Sequence, residues 1–317
     1  MHALVTGASG FVGSHVARRL AEAGADVRSF SRTPPPEWAR VAEHVAGDVC
    51  DPAALRRAAD GCELVVHAAA LYSYDRRDHA AMERVNVDGT RHVLDAAARA
   101  GARRVVVTSS ATTCGPVRGR AADEDDEPPR EQLAVAYKRT KIAGERVALD
   151  AAREGHDAVV VNPTAVVGPG DRRPTPTGRM IADVVAGRIR AYTPGMGLNV
   201  VAVEDVAAGH LLAAEHGRSG RRYILGGEDL PLREVFAIVA RAAGRTPPRW
   251  AVPYPVVVAA ARIAAAAGLS PRLLVLDQVR LAGIPEYYSS ARAESELGYR
   301  ARPAEDALAA AVRSRVA

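Results

Sequence analysis

The stretch Ala3-Leu4-Val5-Thr6-Gly7-Ala8-Ser9-Gly10-Phe11-Val12-Gly13 narrows what this chain can fold into more than any other part of it. An apolar run of strand length ends on glycines at Gly7, Gly10 and Gly13, and a helical pattern over residues 12–23 follows at once. Glycine permits a positive-φ turn and close approach of another backbone. The helix start then offers unpaired N–H groups and the positive end of its dipole to a pyrophosphate. Strand, glycine turn and helix in this order are the opening of a dinucleotide-binding unit. Ser9, Phe11 and Val12 share the turn with the three glycines and are expected at the cofactor with them.

The same texture continues. Apolar runs near 3–6, 26–31, 63–70, 103–110 and 157–162 alternate with helical patterns near 12–23, 82–100 and 137–153. Val105-Val106-Val107 and Val159-Val160-Val161 are continuously apolar, as parallel strands covered on both faces require. The alternation predicts an α/β fold, a Rossmann-type doubly wound parallel sheet. After Asn162-Pro163 the chain becomes loop-rich, with Gly168-Pro169-Gly170 and Pro174-Thr175-Pro176-Thr177-Gly178. Strand-like pieces return at 199–203 and 222–225, followed by Ala-rich helices. The expected organisation is a Rossmann domain over 1–165, rejoined by the strands near 199–226, and a smaller, mostly helical substrate lobe drawn from 166–317.

Composition excludes several other functions. The formal charge of +5 does not make a nucleic-acid groove, because Arg and Asp/Glu are interleaved and the densest charge run, 123–127, is acidic. Cys50, Cys62 and Cys114 are odd in number and lack metal-ligand spacing. They argue for a reducing, cytoplasmic setting and against a metal site. The N-terminus runs straight into the glycine turn, so no leader is expected. The apolar stretch 255–269 contains Arg262 and is shorter than the about 20 residues a membrane span needs, so it is expected to pack inside the protein, with no integral membrane segment.

About 20 residues past the glycine turn, where an acidic side chain would hold the ribose of NAD, the sequence reads Ser29-Phe30-Ser31-Arg32. Arg32 can pair with a 2′-phosphate and Ser31 can add a hydrogen bond, which favours NADP(H) and leaves NAD(H) open.

Of the 42 basic side chains only Lys138 and Lys141 are lysine, within Tyr137-Lys138-Arg139-Thr140-Lys141. Tyr137 and Lys141 are four apart in a helical pattern and so share a face. A neighbouring ammonium favours the phenolate and moves the phenol toward a useful acid/base range. Lys138, about 100° around the helix, should face elsewhere, and Lys138→Arg is expected to be nearly silent. Upstream, Val107-Thr108-Ser109-Ser110 ends a strand in hydroxyls, where open α/β sheets bind ligands, and Ser110 can donate to a substrate oxygen.

These residues, together with Gly47-Asp48-Val49, His67-Ala68-Ala69, Asn86-Val87-Asp88-Gly89-Thr90 and Asn162-Pro163, resemble the extended short-chain dehydrogenase/reductase family in the family's order. The resemblance implies Tyr137 as acid/base, Lys141 as its electrostatic partner and ribose anchor, and Ser110 as substrate hydrogen-bonder. It also implies Asp48 and Val49 beside the adenine, and Ala68, Ala69, Thr108, Asn162 and Pro163 along the cofactor. Asn86 would hold the helix or a proton relay. Residues 162–171, 174–179, 223–228 and 289–293 are closer to a branch holding dihydroflavonol 4-reductase-like and hopanoid-associated sugar epimerase proteins.

Sugar-nucleotide epimerases of this family carry an Arg for the diphosphate and a His where this chain has Leu198 and Ala202, and often a Tyr in place of Cys114. Arg172, Arg173 or Arg179 would have to take over the diphosphate. The favoured reading is therefore an NAD(P)-dependent oxidoreductase moving hydride between nicotinamide and a carbonyl or secondary alcohol. The alternatives are an epimerase/dehydratase that retains NAD, and a non-catalytic dinucleotide sensor. Substrate contacts are expected from Tyr72, Tyr74, Ser110, Thr175 to Arg179, and Asn199. The partner is a small molecule, and assembly as a homodimer is left open.

Overall fold

A computed structural model describes residues 1–267, 279 and 283–316. Its centre is a seven-stranded, wholly parallel sheet. In chain order the strands are β1 (His2–Thr6), β2 (Asp26–Ser31), β3 (Glu43–Ala46), β4 (Leu64–His67), β5 (Arg104–Thr108), β6 (Ala158–Pro163) and, after three short strands, β10 (Arg222–Leu225). They lie in the order β10-β6-β5-β4-β1-β2-β3. The chain winds outward in both directions from β1, so the point where winding reverses lies between β1 and β4, with a crevice at their carboxyl ends.

Helices cover both faces. On one side α1 (Phe11–Glu22) and α7 (Val203–His216) bury Val16, Ala17, Leu20, Val206 and Ala213 against Val5, Val66 and Val161. On the other, α2 (Pro52–Ala59), α4 (Gly89–Arg99) and α5 (Ala136–Arg153) bury Leu55, Val93, Leu94 and Ala148 against Leu4, Val65, Val107 and Val160. All six residues of β6 are buried, which accounts for its unbroken apolar run.

Two elements lacked a clear sequence signal. The edge strand β3 has no buried position, and α2 is a short helix started by Asp51, whose carboxylate accepts from the Ala53 and Ala54 N–H groups. The helix expected over 82–100 is interrupted. A short helix α3 (His79–Glu83) passes through a π-turn, Arg84–Asp88, before α4 begins. The extra residue swings Asn86 inward, as π-bulges do at functional sites.

The second layer holds a three-stranded sheet, β11 (Glu228–Pro231), β9 (Gly197–Ala202) and β7 (Ala165–Val167), under α6 (Pro176–Val185), α8 (Leu232–Ala242) and the C-terminal helix Ala304–Val316. Only one of the two late strands joins the large sheet: β10 pairs with β6, whereas β9 pairs with β7 and β11. Asn199 explains the difference. Its Nδ2 donates to Gly227 O, Asp229 Oδ1 and Tyr288 O, partners that only the smaller sheet supplies.

The apolar stretch expected to bury itself forms α9 (Tyr254–Ala266), which buries Ala261 and Ala264 and leaves Val256 and Ile263 exposed; Gly268 and Leu269 lie outside the described residues. Among the described residues no helix is long and apolar enough to cross a membrane.

Candidate active site

The glycine turn sits at the reversal point of the sheet. Gly7 has φ +72°, and a Cβ there would lie 2.7 Å from the Ala69 Cα, so β1 and the end of β4 touch backbone to backbone. Gly10 precedes α1 without a side-chain cap, leaving the first N–H groups of the helix to an anion. A groove of about 490 Å³ runs over this turn. Gly7, Ser9, Gly10, Phe11, Ser31, Arg32, Asp48, Val49, Ala68 and Ala69 all line it. These are the donors, small residues and cationic end that a nicotinamide dinucleotide needs. Ser31 has a qualification, since its hydroxyl donates to Thr33 O and keeps only lone pairs for a ligand.

A second cavity, about 940 Å³, meets the groove at Phe11 and Thr175, which line both. Tyr72, Tyr74, Ser110, Tyr137, Thr175, Arg179 and Asn199, dispersed along the chain, line this one cavity, with Val12 and Pro163 in its wall. The Tyr72 ring packs on Tyr137, with centroids 4.1 Å apart, and the Tyr72 hydroxyl is hydrogen-bonded to that of Tyr74. Asn86 fixes this arrangement: its Oδ1 accepts from Leu71 N at 2.8 Å, and its Nδ2 donates to Leu71 O and Thr140 Oγ1. The side chain therefore pins the loop bearing Tyr72 to the helix bearing Tyr137.

Thr108, Lys141 and Asn162 lie behind the clefts rather than in them. Lys141 Nζ donates to Thr108 O at 2.9 Å beside a small polar hollow that also touches His67, Ala69, Asn86, Thr90 and Glu145. Asn162 is fully buried, and its Nδ2 donates to Ser110 O, Thr113 Oγ1 and Glu145 Oε2. It lines neither cleft and braces the segment that carries Ser110. Gly13 is likewise structural, because a Cβ there would come 2.3 Å from Gly7 O.

Burial dominates the electrostatics. It pushes the Tyr137 phenol up to about 12, although the neighbouring Ser110 hydroxyl pulls the other way. It lowers Lys141 to about 8 against the opposing charge of Glu145, and Lys138 to about 8 against those of Glu286 and Cys114. His67, at about 3, is a neutral ring between the Thr6 and Thr90 hydroxyls. Burial outweighs the groups that act on the phenol, and the one that pulls it down is the Ser110 hydroxyl rather than Lys141.

Lys138 also departs from expectation. It does face away from the Tyr137 side, but into protein: it is 0% exposed, and its Nζ donates to Gly115 O at 2.7 Å and Gln132 Oε1 at 2.5 Å. A bulkier guanidinium overpacks such a site, so the expected effect of Lys138→Arg shifts from nearly silent to a loss of stability.

Several lining residues carried no sequence signal. Trp38 and Pro34-Pro35-Pro36 wall the groove beside Arg32, where the proline run could have suggested a rigid edge. Glu286 and Tyr288 enter the cavity from a segment with no motif. Arg172 and Arg173 line the groove, and of the three candidate diphosphate arginines only Arg179 reaches the cavity.

Residues 3–226 match the NAD dependent epimerase/dehydratase family. A protein of Synechocystis sp. carrying the provisional name dihydroflavonol 4-reductase is 38% identical, covering 97% of this chain and 92% of its own. The crystal structure of gox2253 superposes with a TM-score of 0.85 at 38% identity, covering 98% of this chain and 97% of the other. That of MoeE5 with UDP-glucuronic acid and NAD gives a TM-score of 0.79 at 25% identity, covering 100% and 99%.

Proposed function

The chain belongs to the NAD dependent epimerase/dehydratase family, and from that membership we propose that it is an NAD(P)-dependent oxidoreductase acting between a carbonyl and a secondary alcohol. The observation that carries the reading is the cavity itself. Ser110 and Tyr137 both line it, it meets the dinucleotide groove at Phe11 and Thr175, and Leu198 stands in its wall at the position where sugar-nucleotide epimerases carry a diphosphate-binding arginine. Val12, Ala165, Val166, Met180, Ile189, Met196, Leu198 and Ile284 make much of the remaining wall apolar, which suits a carbonyl on an apolar skeleton.

The nicotinamide, when bound, supplies or accepts the hydride. The chain's own residues manage the oxygen. The Ser110 hydroxyl donates to the carbonyl oxygen and shares its developing charge. The Tyr137 phenol, protonated at neutral pH with its value near 12, hands its proton to that oxygen in reduction and takes one back in oxidation. Lys141, held by Thr108 O, keeps a cation beneath the site that favours the phenolate left behind. Gly7, Ser9, Gly10 and Phe11 would hold the pyrophosphate, and Asp48 and Val49 would flank the adenine. Arg32, exposed at the groove rim, supports NADP(H) as the preferred dinucleotide, with NAD(H) the alternative.

The test is the fate of the hydride. Purified protein should consume NADPH on members of a ketone panel and release the oxidised dinucleotide. Tightly retained NAD, with no consumption on any carbonyl, would establish the epimerase/dehydratase reading instead.

A further inference from the structure

Glu286 is a half-buried carboxylate on the cavity wall that the proton transfer above leaves unused. Its backbone is locked into the smaller sheet, with its N–H donating to Gly197 O at 3.0 Å and its carbonyl accepting from Asn199 N at 2.7 Å. Asn199 is itself tied to Gly227, Asp229 and Tyr288, and the Tyr287 carbonyl accepts from Ala122 N, so the segment is held on both sides of Glu286. The side chain lines the cavity with Tyr72, Tyr137 and Ser110.

Among the described residues the Glu286 carboxylate takes no hydrogen bond and no ion pair. Lys138, committed to Gly115 O and Gln132 Oε1, acts on it only through space. Burial raises the carboxyl above its ordinary value, and its charge in turn raises the phenol of Tyr137. A ligand that fills the cavity strips water from this carboxylate, and leaving it then without a donor is costly, so a ligand that brings one is favoured over a ligand that does not.

We propose that Glu286 is a specificity-determining residue of this cavity, accepting a hydrogen bond from a substrate hydroxyl that lies a few bonds from the reacting carbon, so that the preferred substrates are hydroxy ketones and the corresponding diols. The inference rests on the oxidoreductase reading. A simple ketone of the same skeleton leaves the carboxylate unpaired, and sites built to bond a hydroxyl reject the analogue that lacks it.

The experiment compares a long-chain methyl ketone with its α-hydroxy and β-hydroxy derivatives, using NADPH and the wild type, Glu286→Gln and Glu286→Leu. The better hydroxy ketone should exceed the plain ketone in kcat/KM by roughly 100-fold in the wild type. That ratio should shrink in Glu286→Gln, whose amide oxygen still accepts, and fall toward one in Glu286→Leu. Being internal to each variant, the ratio is insensitive to the fraction folded. Equal kcat/KM for plain and hydroxylated ketones in the wild type, or one ratio in all three proteins, overturns the inference and leaves the oxidoreductase reading standing. The thermal shift given by the matching diols and mono-alcohols is read in parallel. If no ketone is turned over, a diol shift that exceeds the mono-alcohol shift in the wild type but not in Glu286→Leu upholds Glu286 while the oxidoreductase reading falls. Equal shifts overturn it.

Discussion

The dinucleotide groove and the substrate cavity meet at Phe11 and Thr175 yet are built differently. Most of the groove comes from the carboxyl ends of β1, β2, β3 and β4, each contributing a short piece: Gly7, Ser9, Gly10, Phe11 and Ser14 from the first, then 30–36, 47–49 and 68–71. The cavity takes Tyr72 from a loop, Ser110 from the end of β5, Tyr137 from α5, Arg179 from α6, Asn199 from β9 and Glu286 from a segment near the C-terminus. A phosphate is bound by backbone N–H groups, which any short glycine turn can supply, whereas a substrate is bound by side chains that only packing brings together. Changes in the two clefts should therefore fail in different ways.

The sharpest test is Tyr137→Phe. With the proton donor gone and the ring stacking on Tyr72 kept, turnover should fall by about 1,000-fold or more while dinucleotide affinity, measured by fluorescence titration, stays nearly unchanged. Retained activity would refute the acid/base assignment.

The two lysines separate chemistry from packing. Lys141→Arg keeps the charge but cannot reproduce a compact ammonium on Thr108 O, and should cost roughly 100-fold in kcat with little change in Tm. Lys138→Arg overpacks a fully buried site, and should cost roughly 1–3 kcal/mol of stability by denaturant unfolding. If Lys138→Arg leaves the unfolding midpoint in place, the contrast between them collapses.

Arg32→Ala should weaken NADPH binding by roughly 10-fold, the worth of one exposed charge-assisted contact, and leave NADH nearly unmoved. Equal losses on both cofactors would mean that Arg32 does not read the 2′-phosphate.

The smallest effect is the pH dependence. Lys141, lowered to about 8, is an ammonium below that pH and loses its proton as pH rises through it, while Tyr137 near 12 stays a phenol across the range. Reduction should therefore decline above about pH 8, by up to about 10-fold per unit. Lys138 titrates near the same point, so the Lys141→Arg variant decides between them. A limb that persists there belongs to Lys138.

Much of the fold was legible because parallel strands covered on both faces must be apolar throughout, as in Val159-Val160-Val161. The edge strand β3 was not, since an edge carries no such demand, and neither was the π-turn at Arg84–Asp88, which breaks a pattern that reads as one helix. In the site, Tyr137, Ser110 and the glycines were legible because their chemistry depends on spacing within one element or on the end of one strand. Asn162, expected along the cofactor, lines neither cleft and donates to Ser110 O from behind.

By itself, then, the sequence determined the doubly wound sheet, the phosphate turn and the pairing of Tyr137 with Lys141 on one helical face, because each follows from local periodicity. Tertiary structure alone decided the rest. It sealed Lys138 inside the protein, drew β9 out of the large sheet and aimed Glu286 into the cavity beside Tyr137. Burial and desolvation depend on what packs around a side chain, and that is set by segments far apart in the chain.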